Sequence, residues 1–584
     1  MIDEAEHPRR LWIVCVLALA VLPLWLSLGN HPLNGRTEAR YAVIAQAMAN
    51  GESGWLVPEF RGKAHLTKPP WAYWMSAASI ALFGENEWAV RAPSALAGSV
   101  LVVGVFAFGR RLGGTRRGLL AAGLLGVQPL FVAVMRQPLT DPWLTLGWFG
   151  VLGCGYAVGT RWAGRGWVLG FWAAVSLGLF AKAHLVLLPV GVVVLWLALQ
   201  GRWDGLRRLR IWLGFPLAAL PLLVWVVFVV KHHPDAVELW RHETLDRAAG
   251  SAAGGDHAEA WWYFLPVYLV GLYPANLLVD LPRVGRSVWA VRGRPILALL
   301  RLCQSPNALW WLALGIPLLV FSLNAGKRMN YLLPLTPVIA LLAAESLDHW
   351  LQKRNAKNDG QHKRKTPAAH LGLFAWLRSP AGPATLAFAV CAVVGPFVFR
   401  HAYERASLIW LAPLILTALG VLAFALCWRS ARLRHTALVV GFVSLVIGWG
   451  WGGVLEDRIV TPRSARTLLN DLARLNTNSA TPTPTIYTVG FEDNALVFYG
   501  SPKSLRISPH APDFSWRQTN PDAVFWLETA TWDAMQENPK PGSNAEAHLR
   551  LITRWPASPS DFGHEQHRYV LLRPQHSGSD KAGQ

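Results

Sequence analysis

The fold is decided by residues 92–117, which read Ala-Pro-Ser-Ala-Leu-Ala-Gly-Ser-Val-Leu-Val-Val-Gly-Val-Phe-Ala-Phe-Gly-Arg-Arg-Leu-Gly-Gly-Thr-Arg-Arg. An uncharged run of 18 residues is followed by four arginines within eight positions. A run of this length is typical of a helix that crosses a bilayer, and arginines at its end are typical of a cytoplasmic loop. The stretch therefore indicates a helical membrane protein.

The composition of the whole chain of 584 residues agrees with this. Apolar residues make up 53% and charged residues only 15%, whereas a soluble domain has about 25% charged residues. The net charge of +20 would suggest nucleic-acid binding in a soluble protein. In a membrane protein the same excess belongs to cytoplasmic loops, so we expect the bilayer, and no nucleic acid, as the partner.

Thirteen apolar runs have about the length of a membrane span. They lie at 11–29, 92–109, 118–135, 142–159, 166–181, 184–200, 211–230, 261–280, 308–323, 330–347, 383–400, 407–428 and 436–454. A shorter run, 69–83, begins with two prolines. If it lies flat or re-enters the same face, every strongly basic loop falls on one side, as the positive-inside rule requires. We therefore predict thirteen spans with a cytoplasmic N-terminus.

This arrangement divides the chain into a membrane domain, residues 1–455, and an outer domain, residues 456–584. The membrane domain contains a long first outer loop at residues 30–91. Within the outer domain, a Thr/Pro-rich linker precedes short strand-like runs separated by helix-like pieces (Ile486–Val489, Ala523–Leu527, Leu549–Ile552 and Tyr569–Leu572). The pattern predicts a small α/β domain.

The five cysteines form no CxxC pair. The sequence therefore suggests neither a zinc site nor a disulfide framework, and we expect no metal ligands among them.

The first outer loop contains an expected amphipathic helix, which would lie along the membrane surface. The four apolar residues of that face follow helical spacing (Tyr41, Ile44, Ala45 and Met48). Thr37 would cap the helix and Gly51 would end it. Glu38 then falls in the first turn, where the helix dipole favours a carboxylate. A good helix start explains Glu38 as well as a functional role does.

Further charges lie at the outer ends of the predicted spans, where positive-inside counting disfavours cations. Lys68 precedes Pro69-Pro70 and could hold a phosphate or simply snorkel to the interface. Asp141 precedes Pro142 and could be a functional acid or a helix cap. Lys327-Arg328, and Arg247 in the 231–260 loop, are best explained by an anionic ligand.

These outward cations and acids converge on one membrane face. Cations suit a lipid phosphate, and acids suit removal of a proton from a hydroxyl acceptor. The combination points to transfer of a group from a lipid-phosphate donor, without naming the group.

Several stretches resemble the GT-C membrane glycosyltransferases, in particular the branch of aminoarabinose lipid A transferase (ArnT) and the protein mannosyltransferases. They are Thr37-Glu-Ala-Arg-Tyr-Ala, Trp55-Leu-Val-Pro, Lys68-Pro-Pro, Leu82-Phe-Gly-Glu-Asn-Glu-Trp, Arg91-Ala-Pro-Ser-Ala-Leu, Leu139-Thr-Asp-Pro and Lys327-Arg-Met-Asn-Tyr-Leu-Leu-Pro. The resemblance is strong over residues 35–97 and looser to about residue 350.

The resemblance implies a GT-C fold and an inverting sugar transfer from a polyprenyl-phosphate donor to lipid A, a glycan or a protein. It places the site at the periplasmic face of a bacterial inner membrane and requires no soluble cofactor. By resemblance, two acids activate or position the acceptor hydroxyl (Glu38 and Asp141). Three residues contact the donor phosphate (Lys68, Arg247 and Tyr331), with Arg40 and Lys327 as secondary candidates.

Two departures from the family pattern affect this assignment. The family usually has Asp-Glu where this chain has Thr37-Glu38, and the missing Asp is the favoured catalytic acid. Either Glu38 serves from a position rotated by about 100° on the helix, or Asp141 carries the role, or this chain works differently. The ArnT branch also often has a Glu, implicated in metal contact, where this chain has Thr67, which makes a divalent metal doubtful.

The alternatives are a non-enzymatic binder or transporter of a lipid-linked substrate and a structural assembly subunit. Transporters often carry repeated halves and polar groups at the membrane midplane. Neither feature is clear in this chain, whose polar groups cluster at the outer ends of the spans.

Overall fold

A computed structural model describes residues 6–33, 35–241, 260–279, 305, 307–324 and 326–361. In the C-terminal part it describes residues 486–489, 498–499, 505–508, 524–528, 549–555 and 569–574.

The membrane part is helical, and residues 6–199 contain helices α1 to α8. These helices are α1 (Glu6–Trp25), α2 (Gly35–Ala49), α3 (Trp71–Phe83), α4 (Glu87–Gly126), α5 (Pro129–Met135), α6 (Thr140–Gly159), α7 (Gly166–Lys182) and α8 (Leu187–Leu199). A short hairpin, β1 (Glu59–Phe60) and β2 (Lys63–Ala64), lies in the first outer loop, and a 3-10 turn (Ala183–Val186) separates α7 from α8.

Between residues 203 and 361 the helices are more often interrupted. These helices are α9 (Trp203–Leu209), α10 (Ile211–His232), α11 (Ala236–Arg241), α12 (Phe264–Pro266), α13 (Ala275–Leu278), α14 (Ala308–Leu323) and α15 (Thr336–Gln361). A π-helical turn (Val267–Gly271) follows α12, and a 3-10 segment (Met329–Leu335) precedes α15.

Among the described residues, four helical stretches are long and apolar enough to cross a membrane: Glu87–Gly126, Gly166–Leu199, Ile211–His232 and Met329–His349. Two shorter apolar helices, Trp12–Trp25 and Ala308–Leu323, accompany them. The prediction of a helical multi-pass membrane protein is confirmed.

Helix α4 turns back on itself at the arginine-rich segment, residues 110–117. Gly113 and Gly114 leave helical geometry, and Gly114 has a positive φ of 87° that favours glycine. The two halves pack closely, because a Cβ on Gly118 would lie 2.6 Å from the Phe106 carbonyl oxygen. The basic segment is therefore a turn between antiparallel helices, as the arginine pattern predicted.

Two predicted spans have other forms in the structure. The second half of α4 ends at Gly126, so the predicted span 118–135 is divided, with α5 as a separate short helix. The predicted span 261–280 is not a continuous helix but three short helical pieces. Pro266 and Pro274 explain this break, since proline cannot donate the helical hydrogen bond.

The C-terminal strands form one mixed sheet. Its strands are β3 (Ile486–Val489), β4 (Leu505–Ser508), β5 (Val524–Glu528), β6 (Leu549–Trp555) and β7 (Tyr569–Pro574), in the order β4-β3-β5-β7-β6. The pairs β3/β4 and β3/β5 are parallel, whereas β5/β7 and β6/β7 are antiparallel. Four of these strands were predicted. The edge strand β4 was missed because Arg506 and Ser508 leave it only two apolar residues.

Candidate functional site

Helix α2 carries the first group of site residues, and its apolar face is buried in the protein. Tyr41, Ile44, Ala45 and Met48 are each at most 2% exposed and belong to the main apolar core. The predicted stripe is confirmed, and the residues that cover it belong to the protein core. Thr37 is not the cap, because the helix already begins at Gly35. The predicted end is confirmed, since Gly51 follows with a φ of 73°.

Glu38 forms a buried ion pair with Arg91 of α4. The guanidinium donates from Nε to Glu38 Oε1 at 2.7 Å and from Nη2 to Oε2 at 3.2 Å. It also donates to the carbonyls of Leu28, His31 and Pro32. The exposed fractions of the Arg91 and Glu38 side chains are 1% and 8%. This pair fastens the α1–α2 loop and the first turn of α2 onto α4.

The second predicted acid, Asp141, lies in the first turn of α6 and is 7% exposed. Its Oδ1 accepts a hydrogen bond from Lys182 Nζ at 2.7 Å. Lys182 ends α7, immediately before Ala183, whose positive φ of 52° turns the chain. The ammonium also lies 5.4 Å from the ring centroid of Tyr331. Three separate segments thus bring an acid, a lysine and a tyrosine together.

Tyr41 joins this group from α2. Burial is the largest cause of the raised pKa of Tyr41, and the charge of Asp141 raises it further while Lys182 lowers it. The ring of Tyr41 packs on Tyr73 of α3 with 4.7 Å between centroids. Asp141 is therefore within electrostatic reach of α2, which places the first outer loop beside the acid.

A cationic group adjoins the two tyrosines. His65 stacks edge-on against Tyr73 with 6.2 Å between ring centroids, and its Nε2 is 3.0 Å from Thr67 Oγ1. The pKa of His65 is lowered to about 4, first by burial and then by the charges of Arg40 and Lys68. The Nε atom of Arg40 is buried and has no hydrogen-bond partner among the described residues. Arg40 and Lys68 thus both lie within electrostatic reach of His65, and cations of this kind suit an anion.

The loop that carries Lys68 is held by three indole groups. Trp74 of α3 donates to the Trp55 carbonyl at 2.6 Å, and Trp225 of α10 donates to the Leu56 carbonyl at 2.8 Å. Trp240 of α11 donates to the Leu66 carbonyl at 2.6 Å. These three bonds hold the loop between α3, α10 and α11.

Comparison with known proteins gives this arrangement its context. Residues 67–228 match the family model described as dolichyl-phosphate-mannose-protein mannosyltransferase. The chain is 33% identical over 380 residues to the undecaprenyl phosphate-alpha-4-amino-4-deoxy-L-arabinose arabinosyl transferase of Pseudomonas paraeruginosa, covering 62% of this chain and 64% of the relative. A Pseudomonas fluorescens enzyme of the same description is 36% identical over 357 residues, covering 58% and 60%. The match spans just under two thirds of the length of these relatives.

The whole fold is similar to that of ArnT from Cupriavidus metallidurans, solved bound to undecaprenyl phosphate. The TM-score is 0.69 at 21% identity, and the superposition covers 96% of this chain and 97% of that one. In sequence and in fold, the chain is ArnT-like. The predicted GT-C fold is confirmed.

Of the remaining predicted site residues, the structure describes Lys327 but not Arg247. Lys327 is 4% exposed, just before the segment that carries Tyr331. Arg247 lies outside the described residues. Within the described part of the chain, no group of three or more His, Cys, Asp or Glu side chains is arranged to hold a metal ion.

Lys182 is a residue of the candidate site to which sequence reasoning assigned no role. In the sequence, Lys182-Ala-His184 interrupts an otherwise apolar stretch. An unexplained lysine between two spans was the available signal, because an intramembrane charge needs a partner. Asp141, 41 residues earlier, is that partner.

Proposed function

We propose that this chain transfers a sugar from a polyprenyl-phosphate donor to a cell-envelope acceptor, with inversion at the sugar. The similar enzymes of Pseudomonas are named for an undecaprenyl-phosphate-linked aminoarabinose donor, and the similar ArnT structure holds undecaprenyl phosphate. We propose the same class of donor here, and lipid A, a glycan or a protein as the acceptor.

The observation that carries the proposal is the meeting of Asp141 and Lys182 with Tyr331 and Tyr41, beside the cations Arg40 and Lys68. An inverting transfer needs a base on one side of the sugar and positive charge around the leaving phosphate on the other. A carboxylate next to a cationic cluster supplies both.

In the proposed reaction, the acceptor hydroxyl attacks the anomeric carbon while the bond from that carbon to the phosphate oxygen breaks. The hydroxyl proton passes to Asp141, and the electron pair leaves on the polyprenyl phosphate. Lys182 orients the carboxylate through Oδ1, and no side chain among the described residues hydrogen-bonds to Oδ2. General-base assistance of this kind contributes about 10²- to 10⁴-fold to a rate.

Phosphate binding would fall to Lys68 and Arg40, with Tyr331, Lys327 and Arg247 as further contacts. Preorganised cations are worth most where charge develops, which here is the leaving phosphate. Glu38 stays a predicted catalytic acid, but its two oxygens are engaged by Arg91, which favours Asp141 for the base.

The setting of the reaction is also part of the proposal. The chain would have thirteen spans in a bacterial inner membrane, with a cytoplasmic N-terminus and a periplasmic α/β domain at residues 456–584. The transfer would need no soluble cofactor. Thr67, which stands where ArnT relatives often have a Glu, bonds to His65 and makes a divalent metal doubtful.

The test is an envelope analysis of a strain that lacks this chain. Mass spectrometry of its lipids and glycans should reveal a missing sugar, restored by the wild-type gene and not by Asp141→Asn. An envelope identical to that of the parent strain would refute the transferase function. Restoration by Asp141→Asn would favour the alternative, a non-enzymatic binder or transporter.

A further inference from the structure

Two residues of the C-terminal part, Phe498 and Tyr499, pack against the first outer loop. Phe498 is 5% exposed and belongs to the same apolar core as the membrane helices, and Tyr499 packs against that core. The sequence separation is large, so this contact joins the first outer loop to the C-terminal part of the chain.

The hydroxyl of Tyr499 bridges two structural elements. It accepts a hydrogen bond from the Leu33 backbone N–H at 2.8 Å and donates one to Glu87 Oε1 at 2.8 Å. Burial, and then the charge of Glu87, raise the pKa of the Tyr499 phenol. The hydroxyl therefore keeps its proton, and with it the bond to Glu87, at every physiological pH.

Phe498 contacts helix α2 directly. Its backbone carbonyl accepts a hydrogen bond from Gln46 Nε2 at 3.2 Å, and the same amide donates to Glu85 Oε2 at 2.7 Å. The C-terminal pair thus holds α2 at Gln46 and the chain just before α2 at Leu33. Arg91, one turn after Glu87 on α4, holds the first turn of α2 through Glu38.

Helix α2 carries Arg40 and Tyr41 into the candidate site, and the C-terminal pair contacts the same helix at Gln46. We propose that Phe498–Tyr499 is a docking element through which the C-terminal part positions α2, and that Tyr499 is a positioning residue for donor binding. The structural half of this inference stands by itself, whereas its consequence for the donor rests on the proposed function.

Tyr499→Phe tests the inference, because it removes the hydroxyl and keeps the ring. The matched control is Tyr156→Phe, near the opposite end of α6 from Asp141, where the ring stacks on Trp196. Hydrogen exchange of residues 35–49 in the full-length protein is the first measurement. The second is the KM for radiolabelled undecaprenyl-phosphate-linked aminoarabinose, with kcat determined alongside.

We expect the Tyr499→Phe protein to exchange its α2 amides at least about threefold faster than wild type, since two partly buried hydrogen bonds are lost. Its KM for the donor should rise by about three- to tenfold, with kcat within a factor of about two. Tyr156→Phe should change neither the α2 amide exchange nor the KM for the donor.

Unchanged α2 exchange in Tyr499→Phe would overturn the docking element, whatever the activity. Faster exchange with an unchanged KM would overturn the role in donor binding. If the wild-type protein transfers no sugar, but Tyr499→Phe still exchanges its α2 amides faster than wild type, the proposed function is refuted and the docking element stands.

Discussion

At the scale of residues, the two buried carboxylates of the site differ in how their oxygens are used. Both oxygens of Glu38 accept from the Arg91 guanidinium, whose other N–H groups are taken up by backbone carbonyls. Asp141 accepts from Lys182 through one oxygen. A bidentate pair satisfied on all sides holds structure together, whereas a singly engaged carboxylate can still accept a proton.

Asp141→Asn should lower kcat by about 10²- to 10⁴-fold with little change in KM, because the base is lost while the phosphate-binding cations remain. Steady-state transfer in detergent measures both constants. Asp204→Asn is the control, since the Arg161–Asp204 pair is exposed, at 67% and 56%. A kcat within about fivefold of wild type would contradict the assigned role of Asp141.

Glu38→Gln should destabilise the fold by about 3–5 kcal/mol, because it leaves the buried Arg91 guanidinium without its counter-charge. Thermal unfolding of the purified protein measures this, and Asp204→Asn again serves as the exposed control. If Glu38→Gln unfolds at the wild-type temperature and loses transfer activity, Glu38 is catalytic after all.

His65 should make the protein less stable in mild acid. Its pKa is about 4 in the folded protein and 6.5 in the unfolded chain, so between these values only the unfolded chain gains the proton. The stability present above pH 6.5 is therefore lost as the pH falls towards 4, by about 3 kcal/mol in total.

Unfolding temperatures at pH 7 and pH 5 check this prediction. His65→Gln should lose less stability between the two values than wild type. His232→Gln changes an exposed histidine at the end of α10 and should behave as wild type. An identical pH response in wild type and His65→Gln would contradict the prediction.

Part of the site could be predicted from single residues. Asp141 and Lys68 stood out because charges at the outer ends of apolar spans need a reason. The Glu38–Arg91 pair did not, because its members lie 53 positions apart and meet only when α4 packs on the first outer loop. The same holds for Lys182 and Asp141, which are joined by the packing of α7 on α6.

At the scale of elements, α6 and α7 approach closely through glycines. A Cβ built on Gly147 would lie 2.8 Å from the Ala174 carbonyl oxygen and 3.1 Å from the Gly178 nitrogen. Small residues allow such contact between membrane helices, where van der Waals packing drives association. This contact holds Asp141 of α6 near Lys182 of α7.

Gly147→Ala should therefore lower stability by about 1–3 kcal/mol, because backbone atoms cannot move aside for the added methyl group. Gly191→Ala on α8 is the control, since nothing lies within 4 Å of its Cβ position. Thermal unfolding in detergent compares the two. An unfolding temperature of Gly147→Ala equal to that of the control would contradict the close packing.

Elements were predictable where the local signal was strong. The turn inside α4 lies at the arginines that predicted a loop, and the strand Ile486–Val489 has its predicted bounds. The broken segment 261–280 was misread as one span because its hydropathy outweighed its prolines. What packs on α2 could not be predicted, since amphipathic periodicity identifies a buried face and not what covers it.

At the scale of the whole molecule, the candidate site gathers residues from the ends of several helices, and two residues of the C-terminal part contact the loop and helix beside it. The arginine pattern predicted that the functional residues share one face. It could not predict the contact of Tyr499 with Leu33 and Glu87, because no periodicity links residues more than 400 positions apart.

The central claim is that this chain catalyses sugar transfer. The most direct measurement is turnover of radiolabelled undecaprenyl-phosphate-linked aminoarabinose by purified protein in proteoliposomes containing envelope lipids and glycans. We predict that wild type moves label to an acceptor and releases undecaprenyl phosphate, and that Lys68→Ala raises the KM for the donor. Donor binding by wild type with no labelled acceptor and no released carrier would contradict the claim.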